Sequence, residues 1–287
     1  MAGDQQGVRE AFRVAPGPVD LAAIDPRGRP TGPADKAAAA EAMGDLDVRL
    51  DALQEALYAE ASGGGRRAVL LVLQGMDTSG KGGVIGHAVG MVNPQGVQIA
   101  SFKRPTPEEL AHDFLWRVRK QVPVPGKIGV FDRSHYEDVL IARVDSLVPR
   151  DVWEARYDQI VAFEHELSEQ GVTVLKCMLH ISPEAQAERL LARLDEPAKR
   201  WKYNPGDLDS RSKWPAYQEA YEAALERCDS DVAPWYVIPS DRKWYRNWAV
   251  AALLAETLAD MAPVFPPPDF DVEEQRARLK ALLHEGM

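Results

Sequence analysis

The chain has 287 residues, 45% of them hydrophobic, with 34 basic and 44 acidic side chains and a formal net charge of −10. That length suits one large domain or two small ones with a sizeable core, and no apolar run reaches the ~18 residues of a membrane span. The acidic balance disfavours nonspecific nucleic-acid binding. Two cysteines without metal-ligand spacing, and an N-terminus with neither a basic start nor an apolar segment, lead to the expectation of a cytoplasmic protein.

Residues 1–33 are rich in Pro, Gly and Ala and read as an extended N-terminal arm. A helical pattern follows from Ala34 to about Glu60, with Leu46, Val48, Leu50, Leu53 and Leu57 recurring at roughly helical spacing among charges. Strands are predicted near 68–74, 97–102, 127–132, 172–181 and 235–240. Helical stretches are predicted near 82–91, 107–121, 135–144, 149–170, 182–194 and 214–228. The strands at 68–74, 127–132 and 172–181 are continuous apolar runs, as in a parallel sheet covered on both faces. Cys177 lies within the last of these runs and reads as a buried thiol. The alternation predicts one α/β domain over 34–262, with about five parallel strands between helical layers. Residues 263–287 form a tail that breaks at Pro266-Pro267-Pro268 and ends in a short amphipathic helix.

Directly after the first strand comes Gly75-Met76-Asp77-Thr78-Ser79-Gly80-Lys81-Gly82. This matches G-x-x-x-x-G-K and then departs from it, because Gly82 stands where Ser or Thr would hold a metal. Glycines at this spacing let backbone amides approach phosphate oxygens, and the next helix N-terminus favours negative charge. Gly75, Thr78, Ser79, Gly80, Lys81 and Gly82 are therefore phosphate-binding candidates. Asp77 would be repelled by bound phosphate unless a cation lies between them, so it is a candidate Mg²⁺ ligand or a group that orients the accepting phosphate.

The third strand ends in Phe131-Asp132-Arg133-Ser134. An acid at this strand end is the second-strand signature of nucleotide enzymes and makes Asp132 a second metal ligand or a base. Arg133 could neutralise a phosphoryl group in transfer. Glu137 and Asp138 read as charge at a helix start. Lys103 and Arg104, at the carboxyl end of the second strand, lie where open α/β sheets bind ligands.

Arg189 and Arg193 are i, i+4 neighbours on one helix face and, with the lid residues that follow, are candidates for phosphate or nucleotide contact. Residues 193–213 hold six basic and four acidic side chains, a local +2 in a chain of −10. With its Pro, Gly and Asn, this segment at about 195–213 reads as a lid carrying Lys199, Arg200 and Lys202. Asp241 to Trp248 could face a nucleotide, or its aromatics could serve the core.

With these residues placed, the chain resembles the polyphosphate kinase 2 family. The phosphate loop with its acid and terminal glycine carries the likeness. So do Phe131-Asp132-Arg133-Ser134-His135-Tyr136-Glu137-Asp138, Phe102-Lys103-Arg104-Pro105-Thr106, Trp201-Lys202-Tyr203-Asn204-Pro205-Gly206 and Ala233-Pro234-Trp235-Tyr236. The resemblance extends over about residues 8–262 and is closest to the family's class III branch. It implies a P-loop fold like thymidylate kinase with a helical lid. It implies transfer of the terminal phosphoryl group of inorganic polyphosphate to AMP or ADP, with Mg²⁺ or Mn²⁺ as cofactor, reversible in principle. The catalytic positions it implies are Asp77, Lys81, Asp132 and Arg133, with Asp77 and Asp132 on the metal, and it implies a homo-oligomer, dimer or tetramer. Two other readings remain at this point: an ATP-dependent kinase of nucleoside monophosphates or another small molecule, and a switch-type nucleotide-binding protein, against which Gly82 counts.

Overall fold

A computed structural model describes residues 7–285; the first six residues of the arm lie outside it. Five strands form one parallel sheet in the order β2-β3-β1-β4-β5. They are β1 Ala68–Gln74, β2 Val97–Ser101, β3 Ile128–Asp132, β4 Val172–His180 and β5 Trp235–Pro239. All lie within a residue or two of the stretches read from sequence.

The principal helices are α1 Lys36–Ser62, α2 Lys81–His87, α3 Arg150–Glu169, α4 Pro183–Asp195, α5 Gly206–Ser212, α6 Trp214–Arg227, α7 Lys243–Met261 and α8 Val272–Glu285. Strand alternation splits the core into two layers. Val69, Leu71 and Leu73 point with Val130 and Leu175 into the layer covered by α1 and α7. Leu70, Val72, Phe131 and Val174 point into the layer covered by α3 and α6. Both faces are covered, so every residue of β1 is buried. Among the described residues no helix is long and apolar enough to cross a membrane.

Three sequence expectations are corrected in detail. The helix expected over 107–121 is two short turns, Pro107–Leu110 and Trp116–Arg119. The one expected over 135–144 is a 3₁₀ turn, His135–Asp138, and an α-turn, Ile141–Val144. The stretch 82–91 is the short α2 followed by a 3₁₀ turn, Val89–Met91. Helix α7, absent from the expectations, is buried from Tyr245 to Ala255.

The segment read as an extended arm carries two helical turns, Val8–Phe12 and Leu21–Ala23. It lies along the domain. Arg13 bridges Tyr236 antiparallel to β5, and the amide of Val14 donates to the carbonyl of Trp235 at 3.0 Å. Phe12 and Leu21 are buried, and the Tyr245 hydroxyl donates to the carbonyl of Thr31 at 2.7 Å.

Candidate active site

Strand register brings the site together. Asp132 pairs with Leu73 of β1 on one side and Ser101 of β2 on the other. The carboxyl ends of these strands are therefore level, and the loop after β1 rises beside the end of β3. Two backbone hydrogen bonds fix this end: the amide of Arg133 donates to Leu73 O at 3.1 Å, and the amide of Phe102 donates to Asp132 O at 3.0 Å.

The loop 75–82 turns back on itself through left-handed backbone at Gly75 (φ 145°), Gly80 (φ 112°) and Thr78 (φ 65°). At Gly80 a Cβ would stand 1.8 Å from Nη1 of Arg246, so glycine is required there for space as well as conformation. Gly82 differs: nothing lies within 4 Å of where its Cβ would be. The missing hydroxyl at 82 is thus not a packing necessity.

Lys81 opens α2 and reaches back across the loop, its Nζ donating to the carbonyl of Gly75 at 2.7 Å. Burial lowers the Lys81 pKa with the help of Arg133, against Asp77, Asp132 and Glu137, which raise it. The same three carboxylates surround Arg133. Burial opposes the Arg133 charge, but Glu137, Asp77, Tyr221 and Asp132 outweigh it and hold the guanidinium above its ordinary value. Arg133 adopts left-handed backbone (φ 63°) and donates from Nη2 to Oδ1 of Asp77 at 2.7 Å.

Glu137, expected only as helix-start charge, belongs to this group. Its carboxyl is raised above 4.5 by burial, with Arg133 and Lys81 pulling it down and Asp77 pushing it up. With the Gln74 amide oriented to satisfy its neighbours, that side chain donates to Glu137 at 3.1 Å and accepts from Ser134. The last residue of β1 is thereby joined to the turn after β3. Asp138 faces away from the loop, onto Arg156 at 3.2 Å and Arg117 at 3.9 Å.

The two arginines of α4 stand behind and beside the loop. Arg189 donates to the carbonyls of Thr78 (2.8 Å) and Ser79 (3.1 Å) and to those of Ser240 (2.6 Å) and Asp241 (2.9 Å). Where a phosphate contact was expected, this guanidinium braces the loop from beneath. Arg193 donates to the carbonyl of Lys202 at 3.0 Å and to Asp207 at 3.1 Å, tying the lid to its own hinge helix. The lid is a 3₁₀ turn, Pro197–Lys202, followed by α5. Lys199 pairs with Glu196 at 2.6 Å, and Arg200 donates to the carbonyl of Leu194 at 2.8 Å. Lys202 lies over the Trp201 ring at 5.1 Å, and all four side chains face solvent. Lys103 and Arg104 are exposed beyond β2 and form no ion pair among the described residues.

Two supports escaped the sequence reading. Arg246, 3% exposed, donates to Ser79 O at 2.9 Å and is held by Asn247. Burial and Arg189 push its guanidinium down to about 9. Gln186 donates to the carbonyl of Asp77 at 3.1 Å. Below the β3 turn a buried network joins Lys176 of β4 to Glu164 of α3 at 2.5 Å, with Tyr136 donating to the same carboxylate at 2.8 Å.

No group of three or more His, Cys, Asp or Glu residues fit to hold a metal exists among the described residues. Mg²⁺ in phosphoryl-transfer sites takes one or two carboxylates and completes its shell with water and substrate phosphates. Asp77 within the loop and Asp132 at the end of the neighbouring strand, two hard oxygen donors, fit that demand; a closed protein cage would not.

Comparison with known proteins agrees with this geometry. The model of the family described as polyphosphate kinase 2 matches residues 33–266. A Meiothermus ruber protein named AMP/ADP-polyphosphate phosphotransferase is 50% identical over 259 residues, 90% of this chain and 96% of its own. An ADP-polyphosphate phosphotransferase of Rhodopseudomonas palustris is 42% identical and covers 82% of each chain. The crystal structure of polyphosphate kinase 2 from Arthrobacter aurescens superposes with a TM-score of 0.94 at 46% identity, over 96% of this chain and 98% of that one. The strand order, the acid-bearing phosphate loop and these likenesses place the chain in the polyphosphate kinase 2 family.

Proposed function

We propose that this protein transfers the terminal phosphoryl group of inorganic polyphosphate to AMP and ADP, forming ADP and ATP. The observation that carries the reading is the convergence of Lys81, Arg133, Asp77 and Asp132 on one phosphate loop, in a chain half identical to an AMP/ADP-polyphosphate phosphotransferase.

In this reading the loop amides and Lys81 hold the donor phosphates. Asp77 and Asp132 hold Mg²⁺, which when bound supplies charge neutralisation on the phosphate oxygens. Arg133 leaves Asp77 to meet the phosphoryl group in transfer, and the lid closes with Lys199, Arg200 and Lys202 over the substrates. Little covalent chemistry is asked of the protein, since positioning and electrostatics carry such reactions. A homo-oligomer belongs to the same reading; exposed Leu279, Leu282 and Leu283 on α8 support it.

The test is incubation of purified protein with AMP or ADP, Mg²⁺ and polyphosphate, with no ATP added. ATP formation is expected. Its absence, with turnover restored by an ATP donor, points instead to an ordinary ATP-dependent kinase.

A further inference from the structure

Glu164 of α3 and Lys176 of β4 pair at 2.5 Å with both side chains buried. Burying two charges costs solvation that their attraction barely returns, and an apolar pair of similar volume is often as stable or more so. Fold stability alone is therefore a poor reason for this pair. Its neighbours supply a better one. Glu164 Oε1 accepts from the hydroxyl of Tyr136 at 2.8 Å and lies 3.3 Å from Nε2 of His135. Lys176 Nζ donates to the same hydroxyl at 2.9 Å and to the carbonyl of Cys228 at 2.6 Å. Burial opposes the charge on Glu164, but Lys176 and His135 outweigh it and hold the carboxyl below its ordinary value. Burial lowers the His135 pKa, so the ring is neutral and its Nε2 carries the proton that meets the carboxylate.

His135 and Tyr136 come just past Arg133 and Ser134. Arg133 is a non-glycine residue on left-handed backbone (φ 63°), a strained conformation that lasts only where the surroundings impose it. On its near side the sheet does so, through the amide of Arg133 on Leu73 O. On its far side the Ser134 side chain caps the turn His135–Asp138, and the Glu164 carboxylate clamps the first two side chains of that turn. These groups are buried, and a satisfied polar network away from water is rigid.

We propose that Glu164 and Lys176 are positioning residues: they fix the turn after β3, and through it the strained backbone that aims Arg133 at the phosphoryl group in transfer. The proposal rests on the role given to Arg133 above.

The test is a double-mutant cycle. kcat and KM for polyphosphate and ADP are measured in wild type, Lys176→Met/Glu164→Leu, Tyr136→Phe, Arg133→Gln, and Arg133→Gln combined with each of the first two changes. The temperature is one at which melting curves show every protein folded. Lys176→Met/Glu164→Leu is expected to lower kcat about 10- to 100-fold, the scale of a misplaced catalytic group. Both KM values should be nearly unchanged, since the loop and Lys81 still bind the donor. Tyr136→Phe keeps the ring against Trp235 and is expected to lower kcat less, in the same sense. In the Arg133→Gln background neither change should lower kcat further, because the residue they position is gone. A purely structural role would lower kcat equally in both backgrounds, or raise KM with kcat intact. Either result overturns the proposal, as does an undiminished kcat in Lys176→Met/Glu164→Leu. Should that variant fail to fold, Tyr136→Phe carries the same cycle by itself. If wild type forms no ATP from polyphosphate, the donor assignment falls, and the cycle run with ATP and AMP still decides the positioning role.

Discussion

Arg133 and Asp77, 56 positions apart in sequence, meet at 2.7 Å through Nη2 and Oδ1. The arginine at the end of β3 therefore occupies the carboxylate that a cation would need. If Asp77 holds Mg²⁺ as proposed, metal and guanidinium would compete for its Oδ1, and Arg133 would be freed to meet the phosphates. Arg133→Gln should bind Mg²⁺ more tightly in the absence of phosphate. The gain is up to about fivefold in Kd, because the pair is partly exposed and worth at most ~1 kcal/mol. Turnover should fall by about 10³, as when a transition-state arginine is lost. Calorimetric titration with Mg²⁺ reads the first effect; weaker binding in the variant would sink the competition.

Lys81 spans the loop to Gly75, and Asp132 sits level with Leu73. Lys81→Ala and Asp132→Asn should each lower kcat at least ~100-fold, the scale of a lost preorganised electrostatic contact. Thermal melting shows whether the variants stay folded. Near-normal rates in both would refute the assignment.

The two glycines flanking Lys81 should behave in opposite ways. Gly80→Ala drives a methyl into Arg246 on left-handed backbone, displacing the loop, and should abolish most turnover. Gly82→Ala meets nothing and removes a flexible residue from a helix, a gain of about 0.5–1 kcal/mol. For a chain of this size that is roughly 1–4 °C in Tm. A stabilised Gly82→Ala protein with reduced turnover would show that the bound phosphates, not the resting fold, use the space at 82.

The Lys176–Glu164 pair is fully buried. Lys176→Met leaves the carboxylate without its cation and should cost about 3–5 kcal/mol. Removing the acid as well, in Lys176→Met/Glu164→Leu, should recover much of that loss, since an apolar pair of similar volume is often neutral or stabilising. Urea denaturation of the two variants gives the comparison; a double variant no better than the single one would contradict it.

Glu137 supplies a pH signature. Its folded-state pKa lies above 4.5, so from that value up to the raised one the native protein binds a proton that the unfolded chain has released. Stability contributed by this group therefore falls as pH rises through that window. Glu137→Gln has no such proton. The difference in unfolding free energy between wild type and variant should drift against wild type as pH rises from about 4.5, and a flat difference would place Glu137 outside the charged cluster.

The middle of the sheet was readable because β3, β1 and β4 are buried on both faces and leave unbroken apolar runs, as in residues 68–73. The phosphate loop and Asp132 were readable because their chemistry is tied to local spacing. Helix α7 was not, since burial from Tyr245 to Ala255 removes the polar face that gives a surface helix its period. The short turns at Pro107–Leu110 and Trp116–Arg119 share one helical pattern in sequence, and only tertiary packing divides them. What Arg189 and Arg246 touch could not be read at all. A basic residue near a phosphate site looks the same whether it meets the ligand or the carbonyls behind it, and both guanidiniums spend their hydrogens on carbonyls and an amide.

The N-terminal segment has a bearing on where this molecule ends. Residues 8–31 look like an appendage in composition, yet Phe12 and Leu21 are seated in the core and Arg13–Val14 lie against β5. A strand at the margin of a sheet, left bare, offers its amides and carbonyls to any passing chain. The segment is a built-in guard for that margin. A chain begun at residue 33 would keep every reactive group and lose the guard, becoming sticky before it became inactive.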